Sequence, residues 1–539
     1  MAKDEILVVG AGPVGLMMAS ELARHGAKCR IIDKNKHHAA DSRAVGVHAR
    51  TLELYEDVGL IGEALEKGVK VTGINLYSHG KRLVHTEFKN LDSRYSFVLD
   101  MPQSLTEPML MEHLKGLGLE VERNVELNNL EQHDDHVEVM LKHGERSLVP
   151  EQFAYVVGCD GARSTCRHLC EISFPGEEYP SHWAVLDSGL EWPFDSQELQ
   201  LFLHERGIAA FFPLPGNRMR ITYEIYLDNP KEETPVVTYD TVLEALQLRV
   251  AKKLKLIEPR DLSTFIIHHR QADHYQKGRV FIAGDAAHLH SPAGGQGMNT
   301  GMQDAYNLAW KLALVQKGVC SEELLKTYHL ERHPIGKWVL NVTDRLTKMM
   351  TVKNSKLAFL RDAFLSVVGS FDAIKTQMPK RFSQLYLHYE HNKIIYEECE
   401  HHPMHARAGH RAPDHTLTKG KRLYELFQGT HHTLLLFSGK KPHSSDLEAL
   451  KKVDQMAQKY APHVKTFFLI RNDEMVKKCL TDKDRCFLDR EPSAHGHYGI
   501  EKPTALLIRP DKVVGFANQP PQPSSIEKQF QAWIDLESD

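Results

Sequence analysis

The sequence predicts an α/β protein of several domains: a parallel-sheet domain, an antiparallel sheet inserted into it, and a second α/β unit at the C-terminal end. Three observations carry that expectation. A strand, a glycine-rich turn, a helix and a second strand open the chain; short strands separated by turn signals follow from about residue 180; and a β-α-β-α-β-β-α order closes it. At 539 residues the chain also exceeds what one hydrophobic core usually organises, which asks for two or three domains.

The opening unit has an apolar run at 6–10, a helical pattern at 14–25 and a strand at 29–32 that ends on Asp33. That is a βαβ unit of a parallel sheet. Between 180 and 268 the texture changes to strands at 199–204, 208–213 and 218–227, joined by Glu205-Arg206-Gly207 and Pro215-Gly216-Asn217, which reads as an antiparallel meander. Helical signals dominate from 297 to about 390, with Met349 and Met350 read as helical core or a partner face. A polar, histidine-rich stretch at 398–414 reads as a linker. Beyond it come a strand at 433–437, a helix at 443–459, a strand at 464–470, a short helix near 474, a hairpin of 504–509 with 512–517, and a helix at 524–535, the order of thioredoxin. The expected boundaries are 1–70, 101–178 and 270–345 for the nucleotide-binding domain, 71–100 and 179–269 for the inserted sheet, 346–400 for a helical connection and 401–539 for the last unit.

Composition excludes several classes. A net charge of -4 offers no electrostatic case for nucleic acid or an anionic membrane surface. The eight cysteines are scattered, and none forms a C-x-x-C pair, so a disulfide framework is not expected and a reducing cytoplasm fits. Met1 leads almost directly into the strand Ile6-Leu7-Val8-Val9, leaving no room for a signal peptide, and no apolar run approaches a membrane span. The 33 histidines include adjacent pairs such as His37/His38 and His268/His269, whose side chains diverge, so no zinc site is expected.

Two motifs carry the chemistry. In Gly10-Ala-Gly12-Pro13-Val14-Gly15 the first glycine allows a tight turn, the second lets a pyrophosphate approach the backbone, and the third lets helix and strand pack. The helix N-terminus offers unpaired N–H groups to phosphate, and Asp33 can accept from ribose hydroxyls. This motif alone does not separate FAD from NAD. The second one does: the strand in Gly278-Arg-Val-Phe-Ile-Ala-Gly284-Asp285 ends on a carboxylate able to bind ribityl hydroxyls, and Ser291-Pro-Ala-Gly-Gly-Gln-Gly297-Met298-Asn299 opens a long helix. Its first N–H groups can face the pyrimidine end of an isoalloxazine, where reduced flavin is anionic. Between the two motifs lies Gly158-Cys159-Asp160-Gly161-Ala-Arg163, a turn followed by cationic residues.

These three motifs, in this order and spacing, resemble the class A FAD-dependent aromatic hydroxylases, the p-hydroxybenzoate hydroxylase family, over roughly 1–350. The remainder resembles the phenol, polyketide and rifampicin monooxygenase branch, whose members end in a thioredoxin-like domain. The resemblance implies a Rossmann-like FAD domain with Gly10, Gly12, Pro13, Val14, Gly15, Asp33 and Lys34 at the ADP moiety, and Arg43 at the pyrophosphate. It places Gln103 near the ribityl chain, Asp285 on it, and Pro292, Gly297, Met298 and Asn299 at the ring. Asp160 would touch FAD and Arg163 NAD(P)H. Phe212, Pro213, Tyr223, Pro292 and Ala293 are candidates for the wall of a substrate chamber between the antiparallel sheet and the flavin ring, with plain core packing as the alternative for each. The implied activity is hydroxylation of a phenolic substrate with NAD(P)H and O2 through a flavin C4a-hydroperoxide. A dehydrogenase or reductase on the same fold and a non-catalytic FAD-binding redox sensor are the rival expectations.

The tyrosine and aspartate with which phenol hydroxylases activate a simple phenol are not found, and Glu191-Trp192-Pro193-Phe194 does not fit the W-x-W-x-I-P pattern of halogenases. With one G-x-G-x-x-G only, NAD(P)H is expected to bind transiently near Arg163, and Gly294-Gly295 to give the flavin loop room to move. The C-terminal unit, with Ser438-Gly439-Lys440-Lys441 where a thioredoxin has its cysteines, is expected to be redox-inactive, to carry a cis Lys502–Pro503 bond, and to cover the flavin domain or the face of a homodimer.

Overall fold

A computed structural model of the chain describes residues 4–38, 44–227, 236–369, 371, 377, 379–479, 484–532 and 534. It divides into two compact units, one of residues 1–20, 29–305 and 336–385, the other of residues 21–28, 306–335 and 386–539. Among the described residues no helix is long and apolar enough to cross a membrane, and no cluster of His, Cys, Asp or Glu is arranged to hold a metal ion.

The first unit is built on a six-stranded sheet in the order Gln276–Lys277, Val280–Ile282, Tyr155–Gly158, Ile6–Val9, Cys29–Asp33, Val121–Arg123. All its pairs are parallel except the small hairpin of the first two strands. All four residues of Ile6–Val9 are buried, as a strand covered on both faces requires. The turn after it depends on its glycines. Gly10 has φ +100°, and a Cβ there would stand 2.5 Å from the Cys159 carbonyl oxygen, while one on Gly15 would stand 1.8 Å from the oxygen of Gly10.

An eight-stranded sheet forms the second layer, in the order His288–Leu289, Lys255–Gln271, Gly176–Glu191, Arg218–Ile225, Ala209–Leu214, Leu199–Leu203, Gly73–Ser78, Lys81–Glu87. The meander read from sequence is there, with one difference: Leu199–Leu203 pairs in parallel with Gly73–Ser78. The chain reaches that edge early and returns after the α/β part, so the hairpin order cannot continue around it. One face is covered by the helix Tyr239–Val250, whose start Thr238 and Thr241 fix in a capping box. Strand alternation places Ala209, Phe211, Met219, Ile221 and Tyr223 on that face, packed on Val242, Leu246 and Val250. Ala210, Phe212, Arg220 and Thr222 therefore point to the other side. A small antiparallel sheet of Gly46–Val47, Val98–Asp100 and Val69–Val71 packs against Ala209–Leu214.

The second unit holds a six-stranded sheet in the order Tyr396–Cys399, Val514–Gln519, Thr504–Ile508, His432–Phe437, Val464–Ile470, Cys486–Leu488. Its central strands are parallel, and Thr504–Ile508 runs antiparallel between His432–Phe437 and Val514–Gln519, as in thioredoxin. Gly439, just after the central strand, lies against residues 502–503, where its Cβ would stand 2.9 Å from Pro503 N, and Lys440 N–H donates to Glu501 O (2.9 Å). The close approach of these two segments is present. The cis bond is not: Lys502–Pro503 is trans, and the cis X–Pro bonds are Ala461–Pro462, Glu491–Pro492 and Gln519–Pro520. Without a disulfide-exchange site to shape, nothing in this loop opposes the ordinary trans preference of about 0.5–1 kcal/mol. All seven cysteines described in the chain are free. The same unit buries a charge network in which Arg509 bridges Glu331 (2.8 Å) and Asp511, and Lys311 donates to Glu331 (2.8 Å). Together Arg509 and Lys311 outweigh the desolvation of Glu331 and hold its carboxyl down at about 2.

Candidate active site

The glycine-rich turn is already braced. Asp33 accepts the Ala11 N–H at Oδ2 and the Asn35 N–H at Oδ1, both at 2.8 Å, which leaves further lone pairs on the carboxylate. Gly10 and Gly15 are glycines because the protein itself crowds their Cβ positions. Gly12 is different: among the described residues nothing lies within 4 Å of where its Cβ would be. No packing among them explains that glycine, whereas a pyrophosphate over the helix N-terminus would, because it must approach the bare backbone. Pro13 is buried, Val14 packs against Gly284, and Lys34 is exposed. Arg43 lies outside the described residues.

Asp160 caps the turn after Tyr155–Gly158, accepting from Ser164 Oγ at 2.6 Å and from Cys166 N–H at 3.1 Å. Arg163 is exposed beside it. Arg167 points inward, donates to Ala162 O and Ala286 O (both 2.9 Å) and lies 3.9 Å from the centre of the Phe174 ring. It thus ties the Asp160 turn to the loop of Asp285. Asp285 itself is exposed between the buried Gly284 and Ala286. Gln103 opens the helix Gln103–Gly116 and donates to Glu107 (2.7 Å).

The loop 291–296 leads into the helix Gly297–Gln316. The first intrahelical bond runs from Thr300 N–H to Gln296 O, so the N–H groups of Gly297, Met298 and Asn299 precede it and stand ready for an anionic ring edge. The side chain of Asn299 is committed elsewhere. Fully buried, it donates to Gly46 O and Gly295 O (both 2.8 Å) and accepts the His48 N–H (2.9 Å). The sequence placed the backbone N–H of Asn299 at the ring; its side-chain amide adds a second task, pinning the segments of Gly46–His48 and Gly295 together.

The glycine pair expected to give the loop room to move has both its carbonyls hydrogen-bonded. Gly294 and Gly295 have φ +85° and +61°, which is why they are glycines. His48 Nε2 donates to Gly294 O (2.8 Å) and Asn299 holds Gly295 O. Behind them Gln384, itself at φ +60°, donates to Gln296 and to Thr300 Oγ1 (3.0 Å). Ser291, at the loop's start, is bonded by Thr347 (2.7 Å). Pro292 is exposed and Ala293 half-buried.

Histidines absent from the sequence reading cluster at this loop. Burial holds His48 and His290 down to about 4, so both are neutral at neutral pH. His288 donates from Nε2 to the buried Asp304 (2.7 Å), which also accepts the Gly284 N–H (3.1 Å).

The expected chamber wall is split by strand parity. Tyr223 belongs to the core under Tyr239–Val250, and Pro213 is paired with Met219 on the same face. They do not share a surface with Phe212, which stands opposite Arg220 on the other side. There a buried ion pair was missed: Arg220 grips Asp187 through Nε (2.8 Å) and Nη2 (2.9 Å). Asp100, on the small sheet, is also buried there and feels the Arg220 charge.

Comparison with known proteins agrees with this geometry. Residues 3–343 match the family of FAD binding domains, and residues 405–536 match the C-terminal domain of aromatic-ring hydroxylases. The chain is 35% identical to a rifampicin monooxygenase of Streptomyces venezuelae, over 78% of this chain and 84% of that one. It is 30% identical to pentachlorophenol 4-monooxygenase of Sphingobium chlorophenolicum, over 84% and 83%. Among solved structures, the anhydrotetracycline hydroxylase of Streptomyces rimosus superposes with a TM-score of 0.77 at 28% identity, covering 98% of this chain and 99% of that one.

Proposed function

The chain belongs to the FAD-dependent aromatic-ring hydroxylases, and from that premise we propose that it places one atom of O2 on an electron-rich, hydroxyl-bearing aromatic ring at the expense of NAD(P)H. Bound FAD supplies the redox chemistry with O2, for which no side chain is competent. The chain's own residues bind it, orient the ring and keep water out.

In this reading Gly12 gives the pyrophosphate access to the first helix N-terminus, Asp33 takes the ribose and Asp285 the ribityl hydroxyls. The N–H groups of Gly297, Met298 and Asn299 face the pyrimidine edge, with Gln103 and Pro292 alongside. The observation that carries the reading is the pinned loop: Asn299, His48 and Gln384 spend buried hydrogen bonds on holding a helix N-terminus whose own donors are left over. Such preorganised donors suit a reduced, anionic flavin. The aromatic substrate lies against the Phe212 and Arg220 face of the eight-stranded sheet. NAD(P)H approaches from outside near Asp160 and the exposed Arg163, since no second nucleotide-binding turn is present in the sequence.

The deciding experiment supplies the purified protein with NAD(P)H, a panel of phenols and isotopically labelled O2. Label in a hydroxylated product supports the proposal; oxidised product without label indicates a dehydrogenase, and no turnover with any phenol a binding role. Asp285→Ala tests the cofactor half: it removes a charge-assisted hydrogen bond of about 1.5–3 kcal/mol, and FAD affinity should fall about tenfold or more. Unchanged FAD retention would overturn the role given to Asp285.

A further inference from the structure

The helix Ser355–Val368 is held from one side. Asn354 fixes its start, accepting the N–H groups of Lys356 (3.1 Å) and Leu357 (3.2 Å). Its inner face carries the buried Ala358, the buried Arg361, which donates to Met350 O (3.2 Å), and Asp362, which accepts from Ser78 Oγ. Leu365 packs with Trp183, Leu203, Ile208 and Ile267 on the eight-stranded sheet. These contacts anchor the helix without help from its outer side.

That outer side is apolar and open. Leu357, Leu360, Phe364 and Val367 follow one another at steps of three, four and three residues, which lines them up in one narrow stripe. They are 57–61% exposed, as is Phe371 just past the helix in sequence, and Phe359 flanks the stripe at 73%. At roughly 100 Å² for each such side chain, the six present roughly 600 Å² per copy. A folded chain in water seldom leaves an apolar patch of that size uncovered. Two copies face to face would bury roughly 1,200 Å², which reaches the size of a specific interface.

Charge narrows the choice of occupant. Arg361 and Asp362 turn inward and pair with each other (2.9 Å), while the exposed Lys353 and Lys356 sit together at the N-terminal end. A helix lying on a lipid surface carries cations along its polar flanks, and beyond the first turn the described residues give this stripe none. The stripe has the narrow width of a seam between two helices. In a parallel pair the lysines of the two copies would stand side by side. In an antiparallel pair they separate, and each Lys356 reaches the C-terminal end of the other helix, where the last carbonyls carry partial negative charge.

We propose that the Leu357–Val367 stripe is the docking surface for a second copy of the chain, the two helices packing antiparallel about a two-fold axis. Such an interface uses the same patch on both copies, so it closes as a dimer.

The test is sedimentation of the full-length, FAD-loaded protein at micromolar concentration, for wild type, Leu360→Glu and Phe364→Glu. Wild type is expected at twice the chain mass and both variants at the chain mass, with their FAD and far-UV circular dichroism kept, because the exchanged side chains lie outside the core. Orientation is read from Leu357→Cys and Val367→Cys chains under mild oxidation, with wild type as the control for the native thiols. The two positions lie about 15 Å apart along the helix, so the mixed chains should link to each other and neither should link to itself. A wild type that sediments at the chain mass overturns the proposal, and its flotation with vesicles of phosphatidylcholine and phosphatidylglycerol would assign the stripe to a lipid surface instead. Folded glutamate variants that stay at twice the chain mass overturn it too, by placing the interface elsewhere. Self-linking of either cysteine variant overturns the antiparallel arrangement.

Discussion

Replacing Asn299 with alanine removes three buried hydrogen bonds in one step and strands their partners, Gly46 O, Gly295 O and the His48 N–H. Each stranded buried group costs about 1–3 kcal/mol, and partial relaxation of the loop makes about 3–6 kcal/mol a fair total. The loss falls on the geometry that aims the N–H groups of 297–299. If about half of it appears as misplacement of those donors, FAD affinity drops between tenfold and a hundredfold, at about 1.4 kcal/mol per decade. Asn299→Asp is a sharper companion. It keeps the acceptor for His48 but turns oxygen toward the carbonyls of Gly46 and Gly295, so it should be at least as damaging. Urea denaturation of the apoprotein reads the first effect, and FAD titration by fluorescence quenching reads the second. An Asn299→Ala protein with an unchanged urea midpoint and an FAD Kd within about twofold of wild type would refute the pin.

Four further outcomes are expected. Arg220→Leu leaves Asp187 as an unpaired buried charge and should destabilise by about 3–5 kcal/mol, whereas replacing both residues by leucine should cost much less; equal urea midpoints for the single and double variants would speak against the pair. The fold holds His290 down to about 4 against an ordinary value near 6.5, so it is at full stability above pH 6.5 and loses up to about 3 kcal/mol as pH falls toward 4. His290→Gln should flatten that decline, and identical urea midpoints at pH 7 and pH 4.5 relative to wild type would count against it. Glu331→Gln leaves Arg509 and Lys311 sharing Asp511 alone, and thermal unfolding of the second unit should reveal a loss of about 3–5 kcal/mol. An insulin-reduction assay should detect no disulfide reductase activity, because residues 438–442 contain no cysteine; measurable turnover would reverse that conclusion.

What could be read from sequence was local. The turn from Gly10 to Gly15 and the carboxylate at Asp33 follow from constraints within thirty residues, and the structure brings them together. The parallel pairing of Leu199–Leu203 with Gly73–Ser78 left no local trace, because it joins segments separated by most of the nucleotide-binding part. Gln384 and His48 support the loop 291–296 from outside any motif, so only the tertiary fold could reveal them. The division of the expected chamber wall is legible in strand parity alone. Adjacent strand residues face opposite ways, so Phe212 and Pro213 could not both line one cavity.

That alternation also bears on how such a protein changes over evolutionary time. In the eight-stranded sheet, structural duty and chemical duty fall on interleaved positions of the same strands. Phe211, Met219, Ile221 and Tyr223 answer to the helix over them, while Ala210, Phe212, Arg220 and Thr222 answer to whatever lies on the other side. Substitutions of Ala210, Phe212 and Thr222 leave that core untouched, whereas Arg220 is tied to the buried Asp187. The sheet behaves as a partition, so a contact on its second side can be exchanged one residue at a time while the side under the helix keeps its packing.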